Sequence, residues 1–414
     1  MVPLSIMTRL YGPRAFRTNV RRMPNALLFF PDYRVANPYQ SLLYQHAGRD
    51  LYPRPGTIAE ALALHRQQSG GGRVIFHLHW EDAIYRQEAG EEQAWRAAQA
   101  FLGDLEAFVD AGGALVWTLH NEAPHDGRYL AVHQELVARL VTLADIIHVH
   151  SLAAMAFARR RLGVDAAKLA LIQHGNYVGQ YPRLGFPVAS SRSGLGLPVE
   201  ARVLLLFGRL GAYKGGLELL DAFASLDDPD LWLVIAGKQV DPMSAALGDL
   251  PAGVRGRIVV EDRFIAPEQV PWLFHAADAA VLPYRASLTS GTALLALSQA
   301  RPVLAPALAP LAELLTDGED ALLYPPQARD GLRGALQRLQ ATDEAGLAGM
   351  QAAARAKAEL FDWRQSGLLL DGIYARLLAA LRPQRVPAPE RAGQTQEPAA
   401  GASVQAIRAA ADAA

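Results

Sequence analysis

The chain has no cysteine among its 414 residues. That excludes disulfides, thiolate nucleophiles and cysteine-ligated zinc together, and it leaves the compartment undecided. No run of about 18 apolar residues occurs, which excludes a hydrophobic helical span. The opening stretch carries Arg9, Arg14, Arg17, Arg21 and Arg22, has no acid before Asp32, and lacks the apolar core of a secretory signal. A formal net charge of −1 gives no bulk electrostatic case for nucleic acid. Lysine is scarce: Lys168, Lys214, Lys238 and Lys357 are all there are.

What is present is an alternation of short apolar runs with helical stretches. The runs near 26–30, 73–80, 114–120, 145–151 and 169–174 read as buried strands, and EEQAWRAAQAFLGDLEAFVDAG and YLAVHQELVARLVTLA between them carry apolar residues at helical spacing. A polar, Gly/Ser/Pro-containing piece follows, and a second alternation begins at Val203 with strands near 203–207, 231–236, 257–260, 279–283 and 302–305. Two such runs predict two doubly wound parallel-sheet domains. The expected layout is a basic, disordered lead-in over 1–23, a Rossmann-like domain over 24–183 and a linker over 184–200. A second Rossmann-like domain over 201–358, a closing helix over 359–382 and a disordered tail over 383–414 complete it.

Two of the four lysines, Lys214 and Lys238, follow predicted strands directly. In VLLLFGRLGAYKGG (203–216) a strand ends at a Gly-rich turn bearing Arg209 and Lys214, and a helix follows. That arrangement points backbone N–H groups and a helix N-terminus at an anion, with two full charges added. A diphosphate clamp and a pair of solvated loop cations both fit this local pattern. Further on, Ser287-Leu-Thr-Ser-Gly291 precedes the helical TALLALSQA; hydroxyls and amides there suit phosphate oxygens, as they suit an ordinary helix cap.

The first half is rich in histidine at predicted strand ends: His77, His79, His120, His125, His148, His150 and His174. His77 and His79 share a strand face, as do His148 and His150. Metal ligation and packed, hydrogen-bonded imidazoles are the two readings, the second favoured for His148 and His150. Asp82, with Glu81 beside it in HLHWED, is a candidate general base, and Glu122 and Asp126 are further acidic candidates. Asn37, Tyr39 and Gln40 after the first strand, Asn121 beside His120, and His174, Gly175, Asn176 and Tyr177 in HGNYVGQYP would face a cleft and suit sugar recognition.

FGRLGAYKG, LVIAGK and AADAAVLPY…SG…ARPVLAP…ELLTDGEDALLY, in that order and spacing, resemble the C-terminal half of GT-B-fold glycosyltransferases. The resemblance is to glycosyltransferase family 4, the glycosyl transferases group 1 lineage, and it covers residues 200–382. It implies an α/β GT-B fold, two Rossmann-like domains facing a cleft. The C-terminal domain would hold a nucleotide-diphospho-sugar donor of UDP or GDP type, with no prosthetic group and no required metal. By this likeness Arg209, Lys214 and Lys238 lie at the donor diphosphate, Arg263, Phe264 and Ile265 frame the base, and Thr289, Ser290, Gly291 and Thr292 form the donor loop. His120 would bond the transferred sugar and act in catalysis with Asp82, while Asn37, Tyr39, Asn121 and His174 would line the acceptor side.

The implied activity is transfer of a hexose to a sugar, glycolipid or polyprenyl-linked acceptor in cell-surface polysaccharide or glycolipid synthesis. The implied location is the cytoplasm, with weak peripheral contact at the inner membrane face through the basic N-terminus. The chain departs from the family at one place. Two glutamates with seven residues between them, common in family 4, align with Ser287 and Leu295, so retaining stereochemistry loses its usual carboxylates. Glu313 remains and reads as structural. A GT-B epimerase or hydrolase, a metal-dependent hydrolase built on the histidines, and a non-catalytic nucleotide-sugar-binding relative stand as alternatives.

Overall fold

All twelve named strands run parallel, in two sheets of six, in the computed structural model of the chain. The structure describes residues 25–48, 51–67, 73–124, 127–182, 184–226, 228–239 and 243–380. The expected lead-in, the tail after 380, His125 and Asp126 lie outside the described residues.

The first sheet contains β1 (Asn25–Phe30), β2 (Leu51–Pro55), β3 (Val74–Leu78), β4 (Ala114–Thr118), β5 (Ile146–Val149) and β6 (Leu169–Leu171), in the order β2-β1-β3-β4-β5-β6. Helices α1 (Tyr39–Tyr44), α2 (Ile58–Gln67), α3 (Glu91–Asp110), α4 (Leu130–Leu143) and α5 (Leu152–Arg160) connect these strands. β3 (VIFHL) and β4 (ALVWT) are buried at every position, as strands covered on both faces must be. In α3 the buried residues Ala94, Ala98, Phe101, Leu102, Leu105, Phe108 and Val109 recur at three- and four-residue spacing, so one stripe faces the sheet.

The second sheet holds β7 (Arg202–Phe207), β8 (Leu231–Ala236), β9 (Ile258–Glu261), β10 (Ala279–Val281), β11 (Val303–Pro306) and β12 (Ala321–Tyr324), in the order β12-β11-β10-β7-β8-β9. α6 (Val188–Gly194) precedes it. Its helices are α7 (Gly216–Ala224), α8 (Ser244–Asp249), α9 (Ala252–Arg255), α10 (Val270–Ala276), α11 (Gly291–Ser298), α12 (Ala309–Leu314), α13 (Gly331–Ala341) and α14 (Glu344–Glu359). The last helix, α15 (Trp363–Ala379), returns to the first sheet. It packs on α1 and β3 and sends Trp363, Leu370, Ile373 and Tyr374 into the apolar cluster beneath β1 and β3. Four apolar clusters result, one for each face of each sheet.

Three elements differ from the sequence expectation. β2 (LYPRP) has two prolines and only Leu51 fully buried; it survives as a strand because it is the sheet edge, where missing N–H donors cost little. β12 is an edge strand too. The 184–200 segment is not plain linker: α6 packs on α10, with Ser191 and Arg192 buried and Arg192 paired to Asp278 at 2.9 Å.

Candidate active site

The carboxyl ends of β1, β3 and β4 face those of β7, β8 and β10 across a cavity of about 990 Å³. In open parallel sheets ligands bind outside the carboxyl ends where strand order reverses. Here those points lie between β1 and β3 and between β10 and β7.

On the second sheet's side, Gly208 ends β7 with φ +108°, and a Cβ there would stand 2.8 Å from Lys214 Nζ. Gly237 ends β8 with φ +141°, and a Cβ there would stand 1.8 Å from the Gly208 carbonyl oxygen. The two glycines let the strand ends and the lysine close together. Lys214 is 4% exposed; its ammonium donates to the Phe207 carbonyl at 3.0 Å and lies 5.4 Å from the Tyr284 ring centroid. Arg209 is exposed on the same wall. Neither cation has a carboxylate within ion-pair distance among the described residues. A buried ammonium without a counter-ion is costly, and an anionic ligand removes that cost.

The other expected donor residues divide. Thr289, Ser290, Gly291 and Thr292 line the cavity, and Ser290 caps α11 by accepting from Ala293 N at 3.1 Å. Phe264 and Ile265 line it, with Phe264 56% exposed. Lys238 reaches the rim but pairs with Asp262 at 3.4 Å. Arg263 turns to its own loop, pairing with Glu261 at 2.8 Å and donating to Gln269 at 2.7 Å, and is absent from the lining. Ser287 and Leu295 both line the cavity.

The first sheet's side is built on imidazoles. His148 Nε2 lies 3.0 Å from the Ile172 carbonyl, which can only accept, so that nitrogen carries the proton. Thr118 O–H then donates to His148 Nδ1 at 3.0 Å, and His77 Nε2–H donates to Thr118 Oγ1 at 2.7 Å. His77 Nδ1, left with one lone pair, accepts from the nearer hydroxyl, that of Tyr374 at 2.6 Å, and the Tyr44 hydroxyl lies 2.8 Å from the same nitrogen. Tyr44 also meets His79 Nε2 at 2.7 Å, and His79 Nδ1 meets His120 Nε2 at 3.1 Å. By the same logic His150 Nδ1–H donates to Ile172 O at 2.9 Å, and Tyr39 O–H donates to His150 Nε2 at 3.0 Å. His174 Nδ1–H donates to Gly175 O at 2.7 Å, which leaves Nε2 as the accepting nitrogen beside Gly291.

Burial holds His77, His79 and His150 well below the usual imidazole range and brings His148 and His174 to about 4. These five rings are therefore neutral at pH 7. Among the described residues no group of three or more His, Asp or Glu is arranged to hold a metal ion.

Of these residues His120, His174, Tyr39, Asn37 and Asn121 line the cavity. Asp82 and Glu81 part ways. Glu81 turns into the core, where its carboxylate accepts from Trp117 Nε1 at 3.1 Å and burial pushes its pKa up to about 7. Asp82 faces the cavity with Arg86 Nη1 at 3.3 Å. Glu122 lines it as well, and burial raises its pKa.

Trp80, Tyr33 and Arg86 escaped the sequence reading. The Trp80 indole stacks on His120 (centroids 4.2 Å apart, planes at 10°) and lies 5.2 Å from the Tyr33 ring, which Arg86 covers at 5.4 Å. All three line the cavity. An aromatic just past H-L-H, at the end of a central strand, was the available signal.

Residues 201–342 match the family model described as Glycosyl transferases group 1. A GDP-mannose:glycolipid 4-beta-D-mannosyltransferase of Xanthomonas campestris pv. campestris is 29% identical over 276 residues, 65% of this chain and 70% of the relative. A D-inositol 3-phosphate glycosyltransferase of Corynebacterium urealyticum is 25% identical over 366 residues, covering 83% and 80%. The chain is a glycosyltransferase of the GT-B fold. The same architecture is found in sucrose-phosphate synthase from Thermosynechococcus elongatus, with a TM-score of 0.61 at 20% identity over 86% of this glycosyltransferase and 99% of that chain. Anabaena HepE in complex with UDP gives a TM-score of 0.60 at 18% identity over 87% and 100%.

Proposed function

We propose that the cleft transfers a hexose, of the mannose type, from a GDP-sugar to a hydroxyl of a lipid-linked saccharide, with inversion at the anomeric carbon. The observation that carries the donor side is buried Lys214 beside Arg209, two cations at the cavity without a carboxylate partner among the described residues. They suit a diphosphate, whose charge grows as it leaves; charge placed in advance where a leaving group becomes negative is a main source of rate in such sites. The Xanthomonas relative's name supports the guanine nucleotide, the mannose and the glycolipid acceptor.

Its β-linkage supports inversion, since an α-linked GDP-mannose gives a β-mannoside by direct displacement. Inversion needs a base on the acceptor side. The second domain offers Ser287 and Leu295 where retaining relatives carry carboxylates, whereas Asp82 stands on the opposite wall. In this reading the acceptor O–H gives its proton to Asp82, its oxygen bonds the anomeric carbon, and the bond from that carbon to the phosphate oxygen breaks. The electron pair stays on the diphosphate, against Arg209, Lys214 and the amides after β7. His174, whose buried imidazole is neutral, hydrogen-bonds sugar hydroxyls without bringing charge, and His120 reaches them from the same wall.

The test is incubation of the full chain with GDP-mannose and a lipid-linked oligosaccharide, with the product anomer read by proton NMR. A β-linked product, lost in Asp82→Asn by roughly 10²–10⁴-fold with GDP affinity retained, is expected. An α-linked product, or full activity in Asp82→Asn, overturns the inverting assignment.

A further inference from the structure

The loop between β10 and α11 lines the cavity with Ser287, Leu288, Thr289 and Ser290, and its Leu288 belongs at the same time to the other domain's core. Leu288 is 3% exposed and clusters with buried residues that otherwise all lie between Leu28 and Val164, under β3, β4, β5 and α3–α5. Ser151, the N-cap of α5, donates from its hydroxyl to the Leu288 carbonyl at 2.8 Å and accepts from Ala154 N at 2.9 Å. The next two N–H groups of α5, those of Leu152 and Ala153, donate to the two carboxylate oxygens of Glu313 at 2.8 and 2.7 Å. Glu313 is on α12 of the second domain. One helix start in the first domain thus has three of its first N–H groups satisfied, two of them only while the domains are together.

We infer that Leu288 and Glu313 form a two-point clasp that positions the donor loop, so that the Ser287–Thr292 segment takes its working shape only when the domains are closed. The apolar plug supplies the depth and the carboxylate supplies the orientation. Neither residue is assigned a part in the chemistry. Nucleotide contacts proposed for Arg209, Lys214, Phe264 and Ile265 all belong to the second domain, so the clasp separates binding from transfer. A donor can bind an open molecule, while the sugar meets the first domain's acceptor wall only after Leu288 seats. The inference rests on the proposed donor site for its kinetic consequence, but its structural half stands without it.

The experiment uses the full chain and the variants Leu288→Glu, which puts a charge into the apolar socket, and Glu313→Gln, a surface change that keeps the fold. Small-angle scattering without ligand reads closure directly: both variants are expected to be more extended than the parent, Leu288→Glu more so. GDP affinity of Glu313→Gln, which lies outside the donor loop, is expected by calorimetry to stay within about twofold, while turnover of GDP-mannose onto acceptor falls roughly ten- to hundredfold in both variants. The Glu313→Gln defect should shrink at high salt, where the charge in the parent is screened as well. Unchanged scattering and turnover in both variants overturns the clasp; so does a loss of turnover that only follows a loss of GDP affinity. If the parent fails to bind GDP while the variants still open, the donor assignment fails and the clasp remains.

Discussion

His79 and His120 meet ring nitrogen to ring nitrogen at 3.1 Å, both buried. One nitrogen must bear the proton and the other the lone pair, so protonating both rings would set two N–H groups against each other. Protonation is disfavoured elsewhere in the array by burial, which brings His148 and His174 to about 4 from the ordinary 6.5. In the unfolded chain those rings protonate near 6.5. Stability held above pH 6.5 is therefore lost as pH falls toward 4, because the unfolded state takes up protons first. By pH 5 each of the two rings costs about 2 kcal/mol. Urea midpoints measured from pH 8 to pH 4.5 should fall steeply below pH 6.5, and a flat profile there would show that the rings are charged or exposed.

Glu81 gives the opposite slope. Its folded pKa of about 7 lies above the ordinary 4.5, so its contribution is full below pH 4.5 and is lost as pH rises through 7. Glu81→Gln keeps an oxygen for Trp117 Nε1 and removes the ionisation. The variant should gain stability relative to the parent as pH rises from 5 to 8, on the order of 1–3 kcal/mol. Thermal melts across that range decide it: an equal offset at every pH would mean that the buried carboxyl does not titrate there.

Lys214 is buried against Tyr284 and the Phe207 carbonyl. Lys214→Met preserves the stem and deletes the charge. Without ligand the variant should be about as stable as the parent, since it sheds a buried ammonium that has no carboxylate partner and loses that ammonium's hydrogen bond to the Phe207 carbonyl. GDP affinity should drop by about 1.5–3 kcal/mol, the usual worth of a charged hydrogen bond. Calorimetry of both proteins with GDP, beside ligand-free melts, separates the two effects. A variant that loses stability without ligand and keeps its GDP affinity would make Lys214 a scaffold residue.

The two-sheet architecture was legible because parallel strands covered on both faces are apolar throughout, as VLLLF and LWLVIA show. The Gly208–Lys214 turn was legible because anion sites need glycine, cation and helix start in one short stretch. What stayed hidden was tertiary. β2 hid behind two prolines that only an edge strand accepts, and α6 behind a polar segment whose Arg192 is buried by an ion pair. Asp82 and Glu81 are adjacent and equal in sequence; only the turn at 81–84 sends one to the cavity and the other to Trp117. Arg263 and Lys238 have the right positions but are taken by Glu261 and Asp262.

Trp80 sits at φ +23°, ψ 70°, a conformation that a bulky residue adopts only under strain of about 1–3 kcal/mol. The surrounding contacts hold it there: the stack on His120, the Tyr33 ring and an edge contact with Tyr39 at 5.5 Å. The backbone twist delivers the indole to the cavity on the same wall as Asp82, where a pyranose ring of the acceptor can lie against it. Trp80→Ala should raise the acceptor KM two- to tenfold, matching about 0.5–1.5 kcal/mol of ring contact, with GDP affinity unchanged. Trp80→Gly loses the same contact but accepts the positive φ, so it should be more stable than Trp80→Ala by about 1 kcal/mol. Steady-state kinetics with varied acceptor, GDP calorimetry and paired melts test all three statements. If GDP affinity falls along with the acceptor KM defect, the indole belongs to the donor; if glycine is no better tolerated than alanine, the twist at Trp80 carries no strain.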